Sequence, residues 1–501
     1  MRVCGFVGYR CVPGIAAVVL VACGGGGGGY TAPSMPAAAP MSMPMPMPTV
    51  AFTSPAQATT VSFGRAVQLA WTSSNATSCT ATTSSTMGGA FTGTQSTSGS
   101  ATIAPTATGT VTYTLTCTGP GGTASATTSN VTVGPSLLST LSVAGITTIG
   151  STADPINMDG NPYGLAIAPA TAGLITKGDL IVCNFNNSPA NVQGAGTTIV
   201  GLHPVAGSTP YRIAQSANLE GCDALALLPD DSISAAAFQA NQNALVTAAG
   251  VVNTPFSADT FSEPWGEAYV AANGQNPAAL YVSNFNGSID RITLNGDAQT
   301  AFTQIASGFC SSGVAGAVYA PSGLTYDPSI DTLYIVDTRS NSVVAFAGVS
   351  TIGAAGVVVN GQCQSVTAPP TPAPTFTGPS ATSARVVATG GAFFTPLSAA
   401  LLSNGDLIVA DADVNIGTQT PNLVFEISPV LPGGFVGAPV QLDTGASGAL
   451  FGMVATVDAQ MNQIVYFNDD NNTAVMELTT APAAAPATPA TPPMTSPYAS
   501  H

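Results

Sequence analysis

Pro321-Ser322-Gly323-Leu324-Thr325-Tyr326 is followed by Leu333-Tyr334-Ile335-Val336-Asp337 and then by Ser342-Val343-Val344-Ala345-Phe346. These three short runs are rich in β-branched and aromatic residues, and polar turns part them, so they read as consecutive strands. The order recurs along the chain. Pro162-Tyr163-Gly164-Leu165-Ala166-Ile167 and Pro264-Trp265-Gly266-Glu267-Ala268-Tyr269 repeat the first run. Pro396–Leu401 and Phe451–Ala455 are looser copies, and Gly221–Leu227 is the poorest. Second runs ending in Asn or Asp follow most copies: Leu180–Asn184, Leu280–Asn284, Leu407–Asp411 and Ile464–Asn468. The copy at Gly221–Leu227 has no clear second run. One such unit cannot bury both its faces, so several must stack against one another. Residues 136–480 are therefore expected to form a β-propeller of about six blades, unevenly spaced, with the Pro-rich stretch 368–379 as an exposed loop.

Upstream, residues 49–135 change character. They hold no Asp or Glu and a single charge, Arg65, whereas all 24 acids of the chain lie between Asp154 and Glu477. Val67–Trp71 and Val111–Cys117 alternate apolar and polar residues, Gly119–Gly122 is a turn, and Ala124–Val133 is a final strand. This is the pattern of a small β-sandwich. The whole chain is thus all-β, a sandwich followed by a propeller.

The first residues read differently again. Arg2 and Arg10 precede an apolar run, Gly14 to Ala22, that is too short to span a bilayer and has the layout of a secretory signal over 1–22. Residues 23–48 are Gly-, Pro- and Met-rich and read as a tether. Residues 481–501 are an Ala/Pro-rich tail expected to be disordered. A net charge of −16 with only 8 Lys and Arg excludes nucleic acid as a partner, because binding there runs through basic residues. A monomer is expected.

Leu20-Val21-Ala22-Cys23 resembles the lipobox of bacterial lipoproteins. The resemblance implies cleavage before Cys23 and its lipidation, and Gly24 after it implies the outer membrane of a Gram-negative cell. Leu69-Ala70-Trp71 through Cys79, with Tyr113 through Gly122, resembles an immunoglobulin-like module of bacterial surface proteins, although Trp71 precedes both cysteines. Cys79–Cys117 is the pair expected there, closing a loop of about 40 residues and contributing roughly 2–4 kcal/mol. Cys183 with Cys222 and Cys310 with Cys363 are further candidates, and six cysteines leave the connectivity open. The repeats resemble NHL-repeat and gluconolactonase-like propellers, whose channel face holds a divalent metal such as Ca²⁺ through Glu, Asn and Asp. By that resemblance Glu263, Asn284, Asp337 and Asp411 are candidate ligands.

Alternating strands put the loop before each first strand and the turn after each second strand on one face. Tyr163, Asp223, Trp265, Glu267, Asp413 and Asp469 are the candidate ligand-contacting residues of that face. Asn and Asp at such positions also cap turns through their own backbone. Two histidines, His203 and His501, leave no His-rich metal site, and no supporting motif makes a Ser-His-Asp triad. Three functions stay open: a non-catalytic lipoprotein whose propeller binds a protein, glycan or small molecule; a metal-dependent hydrolase or lactonase; and a structural or adhesive envelope protein. The anchoring expectation has a direct check: Cys23→Ser is expected to abolish incorporation of radiolabelled fatty acid and to release the protein from the membrane fraction.

Overall fold

Strands account for nearly all the regular structure in the computed structural model, which describes residues 43–141, 145–254, 261–311, 320–361, 373–390, 393–411 and 421–479. The expected signal segment, Cys23, most of the tether, Cys363, Asp413 and the tail lie outside them.

Residues 49–134 form three small sheets around one core. Thr49–Ser54, Val67–Ser74 and Gly99–Ile103 pair antiparallel. Gly93–Gln95, Ser78–Thr83, Tyr113–Gly119 and Gly122–Thr127 form a second sheet, and Thr59–Ser62, Val131–Gly134 and Gly109–Val111 a third. The alternation of Val67, Leu69 and Trp71 with polar neighbours puts those three inward, where they meet Phe91, Tyr113, Leu115 and Val131. Cys79 and Cys117 stand directly opposite each other on adjacent strands, Cα atoms 4.0 Å apart, and are joined as expected. The bridge therefore ties neighbours within one sheet rather than sheet to sheet, which is consistent with Trp71 lying before both cysteines.

Six blades follow, each built on four antiparallel strands, with two further strands on the third. Their first strands are Gly160–Ile167, Cys222–Leu227, Pro264–Val270, Pro321–Asp327, Pro396–Leu401 and Leu450–Val457. In chain order, each of these packs against the next, and the sixth packs against the first, so the ring closes. The outermost strand of the sixth blade is Thr147–Ser151, from the N-terminal side of the propeller, paired with Ala474–Thr479. Second strands such as Leu180–Asn186 and Thr332–Asp337 are buried end to end because a blade covers each of their faces, which explains why their sequence runs apolar without alternation. The second blade's counterpart is Ile233–Ala237, a run of Ser and Ala that carries no sequence signature. Part of the Pro-rich interval departs from the expected loop: Val357–Asn360 and Thr375–Thr377 pair and extend the third blade's sheet beyond Ala298–Ser307. Cys183 and Cys222 are joined, linking the first blade to the second. Cys310 is also disulfide-bonded, while its expected partner Cys363 lies outside the described residues.

The repeated glycine has a steric cause. Every first strand carries a bulge at one place, between Pro162 and Leu165 in the first blade and between Pro264 and Glu267 in the third. There the strand is pushed against the next blade's backbone. A methyl group on Gly266 would sit 1.7 Å from the Ser322 carbonyl oxygen, one on Gly164 2.3 Å from that of Asp223, and one on Gly452 2.3 Å from that of Tyr163. The second blade's equivalent is Ala224, by the pairing of Cys222 with Ala237 and Leu225 with Ala235, and the fifth blade's is Ser398.

The sandwich is fixed to the fifth blade by buried polar groups. Ser428 Oγ donates to the Gly64 carbonyl at 2.5 Å, and Arg65 lies 3.9 Å from the buried Asp406. Glu426, also buried, accepts from the backbone N–H groups of Leu137 and Leu138 at 3.1 and 2.6 Å, at the start of the one-turn helix Leu137–Thr140.

Gly266→Ala is expected to lower the stability of the propeller by about 3 kcal/mol, the upper end for overpacking, since the obstacle is backbone and cannot rotate away. Gly353→Ala, where an added methyl meets nothing within 4 Å, is the control and is expected to leave the denaturant midpoint unchanged.

Candidate functional site

The starts of the six first strands line an axial cavity of about 90 Å³, part of it open to solvent. Each strand contributes three consecutive residues, so the wall is built of three rings. The upper ring, toward the beginnings of the strands, is Tyr163, Asp223, Trp265, Ser322, Leu397 and Phe451. The middle ring is the small-residue position, Gly164, Ala224, Gly266, Gly323, Ser398 and Gly452. The lower ring is Leu165, Leu225, Glu267, Leu324, Ala399 and Met453.

Aromatic packing organises the upper end. Tyr163 stacks between Phe185 at 4.3 Å and Phe451 at 3.8 Å between ring centroids. Trp265 meets Tyr163, Phe185 and Phe238 edge to face, at 5.8, 5.8 and 5.1 Å. Phe185 belongs to a second strand, and Phe238 and Phe285 directly follow second strands, so the ends of both strand sets converge on this cluster.

Two acids interrupt the apolar wall. Asp223 stands among the aromatics, 4 % exposed, and its Oδ2 has no hydrogen-bond partner. Burial pushes its carboxyl well above the usual carboxylate range. Glu267 is the one ionisable group of the lower ring. Its Oε1 accepts from Ser234 Oγ and from Asn243 Nδ2, and its Oε2 has no partner. Burial raises it to about 7 against the pull of those two bonds. Ser398 Oγ, in the middle ring, is a third buried atom without a partner. Sequence reasoning passed over Ser398; its signal was a hydroxyl where the other blades place Gly or Ala.

Of the expected ligand-contacting residues, Tyr163, Asp223, Trp265 and Glu267 thus line one cavity. Asp469 instead caps its own turn through the Asn472 N–H and side-chain amide, at 3.3 and 2.7 Å. Asp413 lies outside the described residues. Three of the four candidate metal ligands have side chains engaged in local structure, and the fourth is exposed. Glu263 is an exposed residue at positive φ whose N–H donates to Asn241 Oδ1. Asn284 accepts from the Ser262 N–H and donates to Ser288 and Asp290. Asp337 accepts from the Arg339 and Ser340 N–H groups and the Ser340 hydroxyl. Asp411 accepts from the Phe394 N–H at 2.5 Å. The pairing explains the choice of residue. Asn284, Asp337 and Asp411 stand opposite Pro264, Pro321 and Pro396, and in two of these blades the Asx oxygen caps the backbone two residues before the proline. Among the described residues no three His, Cys, Asp or Glu are grouped to hold a metal ion, and the side chains of Asn284, Asp337 and Asp411 are already taken by neighbouring N–H, hydroxyl and carboxylate groups.

No protein-family model and no curated protein matches this chain. Among solved structures, a virginiamycin B lyase of Staphylococcus aureus with quinupristin is 13 % identical over 67 % of this chain and 98 % of its own, TM-score 0.38. A gluconolactonase of Xanthomonas campestris is 14 % identical over 65 % and 96 %, TM-score 0.36. A calcium-binding regucalcin of Agrobacterium tumefaciens is 14 % identical over 67 % and 97 %, TM-score 0.39. At these identities nothing of their chemistry passes to this chain.

The raised carboxyls fix the direction of a pH effect. Glu267 and Asp290, both raised to about 7, and Asp337, raised to about 6, hold protons in the folded state that the unfolded chain has released. Their contribution is fully present below the ordinary carboxylate range and is lost as pH climbs from about 4 through 7. The protein is expected to melt at a higher temperature at pH 5 than at pH 8. Glu267→Gln is expected to recover on the order of 3 kcal/mol of that difference at pH 8. A melting temperature that rises from pH 5 to 8 would contradict the assignment.

Proposed function

We propose that this chain is an exported lipoprotein, anchored through Cys23, whose propeller holds a small ligand in the axial cavity without turning it over. One observation carries the reading. Asp223, Glu267 and Ser398 line the same cavity, and Asp223 Oδ2, Glu267 Oε2 and Ser398 Oγ are buried with no hydrogen-bond partner among the described residues. Each such atom costs about 1–3 kcal/mol while unpaired, and a ligand that pairs them recovers that cost. Convergent polar atoms in an otherwise apolar, preformed hollow are the ordinary make-up of a small-molecule site.

A hydrolase or lactonase is the second reading, favoured by Glu267. A buried carboxyl raised to about 7 with one free oxygen is matched to proton transfer near neutral pH. The metal-dependent form of that reading has against it the engagement of Asn284, Asp337 and Asp411 in capping and clamping.

The fluorescent probe N-phenyl-1-naphthylamine separates binding from its absence. It is expected to brighten on mixing and to be sensitised by Trp265, one of two tryptophans in the chain. Ala399→Phe, which fills the lower ring, is expected to remove the effect, and unchanged emission in that variant would place the probe elsewhere. Glucono-δ-lactone with Ca²⁺, Mn²⁺, Zn²⁺ or Mg²⁺ is expected to show no hydrolysis above background. Turnover that needs metal and disappears in Asp411→Ala would replace the binding reading with the enzyme.

A further inference from the structure

We propose that the axial cavity takes a small organic cation, a primary or quaternary ammonium with an apolar group attached, whose charge settles against Asp223 and Glu267. This rests on the cavity being the binding site and adds the class of its ligand.

The argument starts from what the two acids lack. Two other buried acids have a cation at hand, Asp154 accepting from Arg212 at 2.7 and 2.5 Å and Asp406 lying near Arg65, whereas Asp290 and Asp337 are held by an amide and by N–H and hydroxyl groups. Among the described residues no basic one lines the axial cavity. No Lys or Arg acts on Asp223 or on Glu267, whose carboxyls answer to burial alone and to burial, Asn243 and Ser234 respectively. The titratable groups that interact around Asp223 are the Tyr163 phenol, which burial keeps protonated and uncharged, and Asp470, so these neighbours bring no positive charge. An anion would be repelled here and across a chain of net charge −16. A neutral ligand would pair a protonated carboxyl but leave both charge sites unused. A cation supplies what is missing, and the indole of Trp265 and ring of Phe451 add faces that attract positive charge. The lower ring of Leu, Ala and Met side chains receives the apolar part.

The proton balance follows. The free cavity keeps its carboxyls largely protonated, since burial holds Asp223 well above the usual range and Glu267 at about 7. An entering ammonium turns a carboxylic acid into a carboxylate, and the displaced proton leaves to solvent. Binding therefore strengthens as pH rises, by close to tenfold per unit below about pH 7 for one proton displaced.

Benzylammonium and benzyl alcohol are matched in shape and differ in charge. Titration calorimetry of the full-length protein at pH 6.5, in two buffers of different ionisation heat, measures affinity and protons released together. Trp265 fluorescence in a Trp71→Phe background reports the site. The ammonium is expected to bind at least tenfold tighter than the alcohol and to release protons. The Asp223→Asn, Glu267→Gln double variant is expected to bind both equally weakly while melting cooperatively. Equal affinities in the native protein, no proton release, or a preference that survives the double variant would overturn the cation assignment and leave the cavity a site for neutral ligands. If neither probe perturbs Trp265 in folded protein, the cation assignment and the cavity-binding reading fall together.

Discussion

The closest contact in this protein is between backbones. At the axis each blade's first strand bulges against the carbonyl of the next, and four of the six blades keep the position free of any side chain. Six first strands can surround a narrow axis only if something this thin separates them. The constraint reaches outward. The bulge turns the residue before the small position and the residue after it toward the cavity, so the upper and lower rings inherit their identities from that geometry. Ala224 and Ser398, which break the glycine pattern, sit in the blades whose first strands copy the motif least well.

Charge is handled in the same economical way. With 8 basic residues against 24 acids, most buried carboxyls cannot have a cationic partner. Some are held by amides, hydroxyls and N–H groups instead: one oxygen of Asp290 by Asn284, Asp337 by Ser340, Glu426 by the start of a helical turn. Paired in this way, an acid stiffens a turn or a joint, and burial without a counter-charge favours its protonated form. Asp223 and Glu267 differ because both belong to the wall of the axial cavity.

Much of the fold was legible because its signals are local. Val67–Trp71 alternates because one face is wet, and Leu333–Asp337 does not because both are dry. The second blade's Ile233–Ala237 hid because its neighbours need only Ala and Ser there, residues that fit many environments. The strand at Thr375–Thr377 hid inside a Pro-rich stretch whose composition says loop. For the site, the letters were ambiguous rather than absent. Asn284, Asp337 and Asp411 have the chemistry of metal ligands and of turn caps alike, and only the position of the neighbouring N–H groups separates the two. Tyr163, Trp265 and Glu267 were readable because they flank the glycine that marks the axis, and Asp223 because it precedes the equivalent Ala224. Ser398 was not, because a serine in a weak repeat copy looks like drift.

The joint between sandwich and propeller also sets how mechanical load enters the molecule. The strand that closes the ring, Thr147–Ser151, is a seam where the sheet is completed by chain from the far side of the propeller sequence. A pull applied at the N-terminal end of the sandwich would run straight into that seam if the two parts were joined by slack chain. Here Gly64, Arg65, Leu137 and Leu138 hand the force to Ser428, Asp406 and Glu426 before it reaches Thr147. Tension is thus taken up in the middle of the fifth blade, and the seam in the sixth stays unloaded while the joint holds.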